Sequence, residues 1–409
     1  MNSSAEPDAR SRRSESHGAA LPRAGAREGE AGFPRVDGVA RGRLAQQGPR
    51  IVAFGGGTGM AALLRGLKQH SDRVTAVVTV TDNGGSSGRL RNDFDMVAPG
   101  DIRNCLLALA DIDPLIDRAF QYRFEEAEFT GHCFGNLFIT VLTRLTGDFN
   151  SSIGELNRLL NVRGRVIPAT GSRVSLVAEH PDGSKSTGEV QIARSGKRIA
   201  RIEVRPSPVL VSAEIRDAIA AADLFLFGPG SLYTSVLPNL LLDGIVDAIA
   251  ATGKPRVYIA NLMTQPGETS RYTLAEHLRA LRTHVGPGFP DAVVAHVGDL
   301  PPEVLRKYHE SGADIVQCDL REYREFDDVR LVTGDFFSGE TRSGGSLAAG
   351  TVRHDSAALA RVVIDEFWRV GGRSGEPGSL PGRGTCDPTA GDESDDETTV
   401  ESHGARAVG

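Results

Sequence analysis

The chain has 409 residues, of which 40% are hydrophobic and 24% are charged, and its formal net charge is −7. This composition predicts a globular protein with enough apolar residues for a large core in one or two domains. The acidic balance argues against a nucleic-acid partner, because binding to a phosphate backbone needs a surplus of Lys and Arg on one face. No apolar run reaches the roughly 18 residues of a membrane span.

The two ends of the sequence differ from this average. Residues 1–48 are rich in Ala, Gly, Arg, Ser and Glu without apolar periodicity, and residues 371–409 contain an acidic run at 392–397. Neither can bury enough apolar surface to offset the entropy lost on ordering, so we expect both tails to be disordered. The first tail lacks the apolar segment of a secretory signal and mixes acids with its arginines, which predicts a cytoplasmic protein. Four widely spaced cysteines, without a Cys-x-x-Cys pair, fit reduced thiols.

Short apolar strands alternate with helical stretches along most of residues 49–370. This alternation predicts one α/β domain, with a doubly wound, Rossmann-like parallel sheet and helices on both faces. After the apolar run that begins at Ile51, the predicted strands are Val74–Val80, Leu224–Phe227, Arg256–Ala260 and Ala292–Val297. The predicted helices are Met60–Leu67, Leu232–Ala251, Thr273–Arg282, Glu303–Glu310 and Ala357–Val370.

The interval of about 101–208 departs from this alternation. Residues 101–161 have mostly helical patterns, and residues 163–204 contain alternating segments on either side of a turn at 180–183, which is typical of antiparallel strands. We interpret the interval as a helical and antiparallel-strand insertion in the α/β domain. It could equally be described as a small second domain.

The first predicted strand runs into the loop Gly55-Gly56-Gly57-Thr58-Gly59, directly before a helix. Strand, glycine turn and helix in this order place backbone N–H groups and the positive end of a helix at one point, as α/β proteins do to bind phosphate. The spacing matches neither known phosphate loop, because Ala62 stands where a dinucleotide fingerprint has its last glycine and no Walker lysine follows. A phosphate-binding loop and a purely structural tight turn both remain open.

A second polar loop, Thr81–Arg89, follows the strand that ends at Val80. Ser86, Ser87 and Arg89 can donate hydrogen bonds to phosphate oxygens, and Asp82 can accept one from a sugar hydroxyl. The alternative is a flexible loop of common turn residues.

Two further loops follow later strands. In the third loop, Gly228 and Gly230 repeat the logic of the first, while Ser231 and Thr234 either contact a ligand or cap the following helix. In the fourth, the amides of Asn261 and Gln265 can read a base edge or a sugar hydroxyl, unless this is an ordinary loop. Because ligands of open α/β sheets bind at the carboxyl ends of strands where the strand order reverses, we expect the four loops to converge there.

Six motifs in order make the chain resemble a known family. They are Gly55–Gly59, Asp82–Arg91, Pro99–Asn104, Gly131-His132 with Gly135-Asn136, Gly228–Ser235 and Asn261–Thr269. Together they closely resemble the bacterial gluconeogenesis factor family (YvcK type), which is itself related to 2-phospho-L-lactate transferase. The resemblance covers roughly residues 51–370 and leaves out both tails.

The resemblance implies a protein that binds UDP-sugars, such as UDP-N-acetylglucosamine, and is needed for cell shape and peptidoglycan wall synthesis on gluconeogenic carbon sources. It implies a regulator that requires no cofactor, and it leaves open a homo-oligomer and a cell-wall regulatory protein or kinase as partner. The transferase relatives move a phospholactyl group onto a deazaflavin precursor. A transferase that acts on a nucleotide-activated substrate is therefore the alternative.

Asn83 departs from the family, which usually shows two consecutive aspartates before Gly-Gly-Ser-Ser-Gly. Hard cations such as Mg²⁺ favour carboxylate oxygens, so this substitution argues against a transferase-like metal site. We therefore predict neither a metal ligand nor a catalytic residue, and keep Asp82 and Asn83 among the ligand-binding residues.

By resemblance, His132 and Asn136 belong to the pocket, together with Arg103 and Asn104. From the residues alone, His132 could be a general base, a partner of a sugar hydroxyl or a structural histidine. Arg103 could bind a phosphate or form an exposed ion pair.

The sequence before the last predicted helix, Val352–Ser356, matches another element of the family. Asp355 is a natural N-cap, which leaves Arg353 able to reach a diphosphate. A phosphoryl group on Ser356 would be favoured at this helix start, so regulatory phosphorylation is a hypothesis.

A third functional class, the dinucleotide-binding oxidoreductases, is disfavoured because Asp72 precedes the second strand, whereas a ribose-binding acid belongs at a strand end.

Overall fold

The structure is a computed structural model that describes residues 48–125, 127–338 and 352–369. The tails predicted at 1–48 and 371–409 lie outside the described residues except for Gly48, so their disorder stays a prediction. Within the described ranges, no helix has both the length and the apolar character needed to cross a membrane.

The strands build one large parallel sheet and one small antiparallel sheet. The large sheet has seven strands in the order β10-β9-β8-β7-β1-β2-β3, and every neighbouring pair in it is parallel. The small sheet has the order β5-β4-β6 and is antiparallel. The ranges are β1 Ile51–Gly55, β2 Val74–Val78, β3 Arg165–Pro168, β4 Ser175–Glu179, β5 Lys185–Thr187, β6 Arg201–Arg205, β7 Leu224–Phe227, β8 Arg256–Ile259, β9 Ala292–His296 and β10 Arg330–Gly334.

The strand order of the large sheet reverses at β1. From β1 the chain builds outward through β2 to β3, and it then returns to the other side of β1 and builds outward from β7 to β10. This is the predicted doubly wound sheet, which is confirmed. The loops after β1 and β7 leave the sheet at the point of reversal, so a crevice is expected between them.

The central strands are apolar on both faces because helices cover the sheet on both sides. All five residues of β1, β2 and β9 are buried, and so are all four of β7. Such continuous apolar runs, without alternation, are typical of buried parallel sheets. At the carboxyl ends of β1 and β7, the rings of Phe54 and Phe227 stack with their centroids 5.5 Å apart.

Helices of the described residues fill the intervals between the strands, and α1 packs against α3 and α14. The ranges are α1 Gly57–Leu67, α2 Gly85–Asp93, α3 Gly100–Leu109, α4 Pro114–Gln121, α5 Phe134–Thr146, α6 Phe149–Leu159, α7 Glu189–Ser195, α8 Ala213–Ala221, α9 Leu237–Leu240, α10 Ile245–Thr252, α11 Leu274–Val285, α12 Pro302–Glu310, α13 Leu320–Tyr323 and α14 Ser356–Ile364.

Two predicted elements differ from the structure. The continuous helix predicted at 232–251 is instead a π-helical turn, the short α9 and then α10, separated by Gly244 at φ 80°. Most of the predicted second loop is helix α2, although Gly and Ser are poor helix formers. Burial of Leu90 and Arg91 on this helix outweighs that weak propensity, and Arg91 donates hydrogen bonds to Val174 and Ser175.

The interval of about 101–208 contains both predicted kinds of structure. Helices α3 to α6 come first, and β4 and β5 are joined by a turn in which the His180 N–H donates to the Ser184 carbonyl. Between the two parts, however, β3 returns to the large sheet and pairs with β2. A strand in the middle of the interval is therefore part of the large α/β sheet.

We expect Gly66→Ala to destabilise the protein, because a Cβ at this position of α1 would overlap the carbonyl of Ser356 at the start of α14. Overpacking of this kind costs about 1–3 kcal/mol. Gly154→Ala is the matched control: it lies within α6 with open space at its Cβ, and is expected to stabilise by about 0.4–1 kcal/mol. Urea denaturation of both variants measures the difference, and equal midpoints would contradict the packing of α1 on α14.

Candidate functional site

A crevice of about 410 Å³ lies at the carboxyl edge of the large sheet, where β1 and β7 are neighbours. All four predicted loops contribute to its lining. Of the predicted ligand residues, the crevice is lined by Gly56, Gly57, Thr58, Gly59, Asp82, Gly230, Ser231, Asn261, Gln265 and Arg353. The other predicted residues lie outside its lining: Gly55, Asn83, Ser86, Ser87, Arg89, Arg103, Asn104, His132, Asn136, Gly228 and Thr234.

The N-terminus of α1 opens into the crevice. The N-cap residue, Gly56, has no side chain to cap the helix, and the first N–H groups belong to the lining residues Gly57, Thr58 and Gly59. The N–H of Gly57 is bonded to the Asp101 carboxyl group, which leaves those of Thr58 and Gly59 for a ligand. Gly57 has φ 71°, and a Cβ there would meet nothing within 4 Å. Its positive φ favours glycine, and the open space beside it leaves room for a ligand.

The other glycines of this loop make room for the protein itself. A Cβ on Gly56 would lie 2.5 Å from the Asp101 carboxylate, and one on Gly59 would lie 2.8 Å from the carbonyl of Pro229. Open space for a ligand is therefore found beside Gly57, whereas Gly56 and Gly59 let neighbouring loops pack against α1.

The third and fourth loops are held together by side-chain amides. Asn261 accepts from the N–H of Gly230 and donates to the carbonyl of Gly230, both at 2.9 Å. Gln265 donates to the hydroxyl of Ser231, while its own Oε1 is buried and has no hydrogen-bond partner among the described residues. Asn261 therefore fixes the loop after β7, and Gln265 keeps an acceptor available at the crevice.

Carboxyl groups line the end of the crevice next to β2. They belong to Asp82, Asp101 and Glu189. Glu268 lies outside the lining and accepts a hydrogen bond from Thr234. Burial, with Asp82 nearby, raises the pKa of Asp101 to about 7, although the Gly57 N–H opposes the shift. Burial, with Asp82, Asp101 and Glu268 adding to it, raises the pKa of Glu189 to about 9.

These carboxyl groups bear on the question of a metal. Asp82, Asp101 and Glu189 offer the oxygen ligands that Mg²⁺ prefers. Within residues 48–125, 127–338 and 352–369, no group of three or more His, Cys, Asp or Glu side chains is arranged to hold a metal ion. The expectation that no metal is bound stays a prediction.

Asn83 holds Glu189 in place. Its Oδ1 accepts from the N–H of Val190 at 3.0 Å, in the first turn of α7, and its side chain fills the space beside Gly188. Gly188 has φ 86°, a conformation that favours glycine, and the absence of a Cβ also makes room for the side chain of Asn83. Asn83 was predicted to bind ligand; in the structure it attaches α7 to the loop after β2.

Five predicted ligand residues form a separate polar cluster beside α2 and α5. Asn136 donates to the Ser86 hydroxyl at 3.3 Å, and His132 Nδ1 lies 3.4 Å from the same oxygen. Buried Arg103 donates to Asn136 at 2.7 Å and to Asn104 at 2.8 Å. The exposed ion pair considered for Arg103 is therefore wrong, because its partners are amides in the interior.

The remaining predicted residues have structural contacts. Gly55 ends β1, and Gly228 has φ 85° next to the carbonyl of Ile259. Ser87 is buried beside Gly100, and Arg89 donates to the carbonyl of Thr130 at 2.7 Å. Thr234 is fully buried.

The end of the crevice next to β8 has apolar as well as polar side chains. Leu262, Met263, Val352 and the ring of Tyr308 line it together with Arg353. The Tyr308 hydroxyl accepts from the N–H of Val352 at 2.7 Å, which fixes the segment that carries Arg353.

His354 and Asp355 hold the same segment from its other side. His354 Nε2 lies 3.2 Å from the Ala260 carbonyl, and burial lowers the pKa of this histidine to about 4. The predicted N-cap is confirmed, because Asp355 accepts from the N–H groups of Ala357 and Ala358.

The sequence pattern did not reveal several lining residues. Asp101 was not among the predicted ligand residues, but it lies in the first turn of α3 and its carboxyl group lines the crevice. Glu189 and Tyr308 belonged to no motif, and His354 lay in the family element Val352–Ser356 without a predicted role. Glu189 in particular comes from α7, outside the strand-loop-helix units of the large sheet. Only the three-dimensional structure brings these residues together.

The fold and the crevice define a Rossmann-like α/β protein of the kind that takes ligands where the strand order reverses. Residues 51–337 match the family described as 2-phospho-L-lactate transferase CofD. The chain belongs to this family, in the branch of the gluconeogenesis factors. The resemblance drawn from the six motifs is thereby confirmed.

Two named relatives align with the chain over almost their full length. The chain is 43% identical to the gluconeogenesis factor of Bacillus subtilis strain 168 over 320 residues, which cover 78% of this chain and 98% of that protein. It is 46% identical to the gluconeogenesis factor of Halalkalibacterium halodurans over 316 residues, covering 77% and 95%. A crystal structure of a UPF0052 family member from Bacillus halodurans superposes with a TM-score of 0.73 at 40% identity, covering 78% of this chain and all of that one.

We expect Glu189→Gln to change how stability depends on pH. The unfolded chain loses this proton near the ordinary value of 4.5, whereas the folded protein keeps it until about pH 9. Between these values the folded state binds more protons, so the free energy of unfolding falls as pH rises. The variant should flatten this fall by up to about 1.4 kcal/mol per pH unit.

Urea denaturation at several pH values measures this slope. Glu303→Gln, on the exposed side of α12, is the control and should run parallel to the wild type. If the Glu189→Gln curve also runs parallel to the wild type, Glu189 is not held protonated in the folded protein.

Proposed function

We propose that the protein is a UDP-sugar-binding regulator, a cytoplasmic gluconeogenesis factor that supports cell shape and wall synthesis on gluconeogenic carbon sources. The observation that carries the binding proposal is the convergence of four loops at the N-terminus of α1, between β1 and β7. A helix N-terminus with open space beside its glycine favours a diphosphate. The biological role is supported by the family and by the name of its closely matching members.

The lining changes along the edge of the sheet, and this suggests an orientation for the ligand. The glycines after β1 and β7 lie in the middle and would bind the diphosphate through backbone N–H groups. The end next to β8, with Leu262, Met263 and Tyr308, suits the flat base. The Oε1 atom of Gln265, which has no hydrogen-bond partner among the described residues, could accept a hydrogen bond from the edge of this base. The carboxyl-lined end next to β2 suits the hydroxyl groups of the sugar.

No catalytic reaction is needed for this role. His132 is separated from the crevice lining in the polar cluster beside α2 and α5, and burial together with Arg89 lowers its pKa. We therefore propose a sensor that changes its contacts with a partner, either a second copy of the chain, a cell-wall regulatory protein or a kinase. Neither a cofactor nor Mg²⁺ is required in this proposal.

Thr58→Ala and Arg353→Gln should each weaken binding of UDP-N-acetylglucosamine. Both residues line the crevice, and losing one hydrogen bond to a charged group costs about 1–3 kcal/mol. Titration calorimetry on the full chain measures the change. Thr283→Ala is the matched control, because the Thr283 hydroxyl donates to the Arg279 carbonyl on the exposed side of α11.

Affinities unchanged in both crevice variants would place the binding site elsewhere. NAD titrated in parallel tests the disfavoured oxidoreductase, and preferred binding of NAD would replace the proposal.

A specific observation also favours a second candidate, a transferase of the 2-phospho-L-lactate transferase type. Asp101 and Glu189 have raised pKa values at the crevice and could act as general acids or bases towards a bound substrate. Incubation with Mg²⁺ and nucleotide-activated donors distinguishes the two candidates. Multiple turnovers of released nucleotide would establish a transferase, whereas binding without turnover supports the regulator.

A further inference from the structure

One end of the crevice concentrates acidic groups. Asp82 lies in the loop after β2, and Asp101 lies in α3. Glu189 lies in α7, which connects two strands of the small sheet, β5 and β6. Three separate parts of the chain thus place carboxyl groups at one end. The positive side chain of the lining, Arg353, lies on the segment before α14, beside β8.

We propose that Asp82, Asp101 and Glu189 make the crevice select sugar nucleotides with an uncharged sugar and reject those whose sugar carries a carboxylate. This inference rests on the proposed binding of UDP-sugars. It concerns the part of the ligand beyond the diphosphate, and it makes the acidic end a specificity-determining element.

The physical reason is the contrast between a hydroxyl and a carboxylate at this position. Hydroxyl and amide groups of a neutral sugar can donate to carboxylate oxygens, and they can also accept from a carboxyl group that keeps its proton. Burial and the neighbouring acids already disfavour negative charge at this end, since they raise the pKa of Asp101 to about 7 and that of Glu189 to about 9. A uronic acid would bring a further negative charge there, where burial weakens the screening by water.

The arrangement of the acidic groups supports this role. Asp82 Oδ1 accepts from the N–H of Gly84 at 2.8 Å, and Asp101 is held by the N–H of Gly57. Asn83 fixes the turn before Glu189 through the N–H of Val190. Asp82 and Asp101 are thus each anchored by a backbone N–H group, and the Glu189 carboxyl group is hydrogen-bonded to the side chain of Thr234.

The test compares UDP-glucose with UDP-glucuronic acid by titration calorimetry on the full chain. The two compounds share the uridine and the diphosphate and differ only at C6 of the sugar, where a hydroxymethyl group is replaced by a carboxylate. We expect UDP-glucose to bind at least about tenfold more tightly, because like charges at such a site cost a factor of this order.

Asp82→Asn removes one negative charge and keeps an oxygen that can accept from the Gly84 N–H. We expect the ratio of the affinities for UDP-glucose and UDP-glucuronic acid to fall about threefold, because only one of the acidic groups is removed. Asp101→Asn is a second variant that should narrow it in the same direction. Asp247→Asn, on the exposed side of α10, is the matched control and should leave the ratio as in the wild type.

Equal affinities for the two compounds, or a ratio unchanged in both crevice variants, would overturn the proposed selectivity while leaving UDP-sugar binding intact. If neither compound binds, the proposed function itself fails, and the selectivity fails with it.

Discussion

Close approach of backbone to backbone at the carboxyl edge of the sheet is the constraint on which the site depends. The loops after β1 and β7 meet where Gly59 faces the carbonyl of Pro229 and where Gly230 faces the carbonyl of Gly56. A Cβ at either glycine would lie within about 3 Å of these oxygens. Because the loops can come this close, the N-terminus of α1, Ser231 and the amide of Asn261 share one crevice.

The parallel order of the strands then arranges different chemistry along this edge. The helix start and the glycines after β1 and β7 lie in the middle, apolar, aromatic and amide side chains with Arg353 lie next to β8, and the carboxyl group of Asp82 lies next to β2. A sugar nucleotide has the same three parts, namely a flat base, a charged diphosphate and a polyhydroxylated ring. This correspondence accounts for the glycine loops in the middle of the crevice. It also accounts for Asp101 and Glu189, the carboxyl groups with raised pKa values.

The sequence was sufficient to predict the doubly wound sheet, because its buried parallel strands are continuous apolar runs such as Leu224–Phe227. It also predicted the convergence of the four loops, which follows from their common position after strands. It could not separate the residues that line the crevice from those that hold the lining in place. Asn83, Asn261 and Ser86 have polar side chains in glycine-rich loops, yet each is engaged by neighbours that are distant in sequence. Glu189 escaped prediction because α7 reaches the crevice from the small sheet.

The central claim is that the crevice between β1 and β7 binds the diphosphate of a UDP-sugar. A crystal structure of the full chain grown with UDP-N-acetylglucosamine tests it most directly. The account predicts electron density for the diphosphate within hydrogen-bond distance of the N–H groups of Thr58 and Gly59, with the sugar towards Asp82 and Glu189. A well-ordered crystal in which the nucleotide lies at another surface, or in which this crevice contains only solvent, would contradict it.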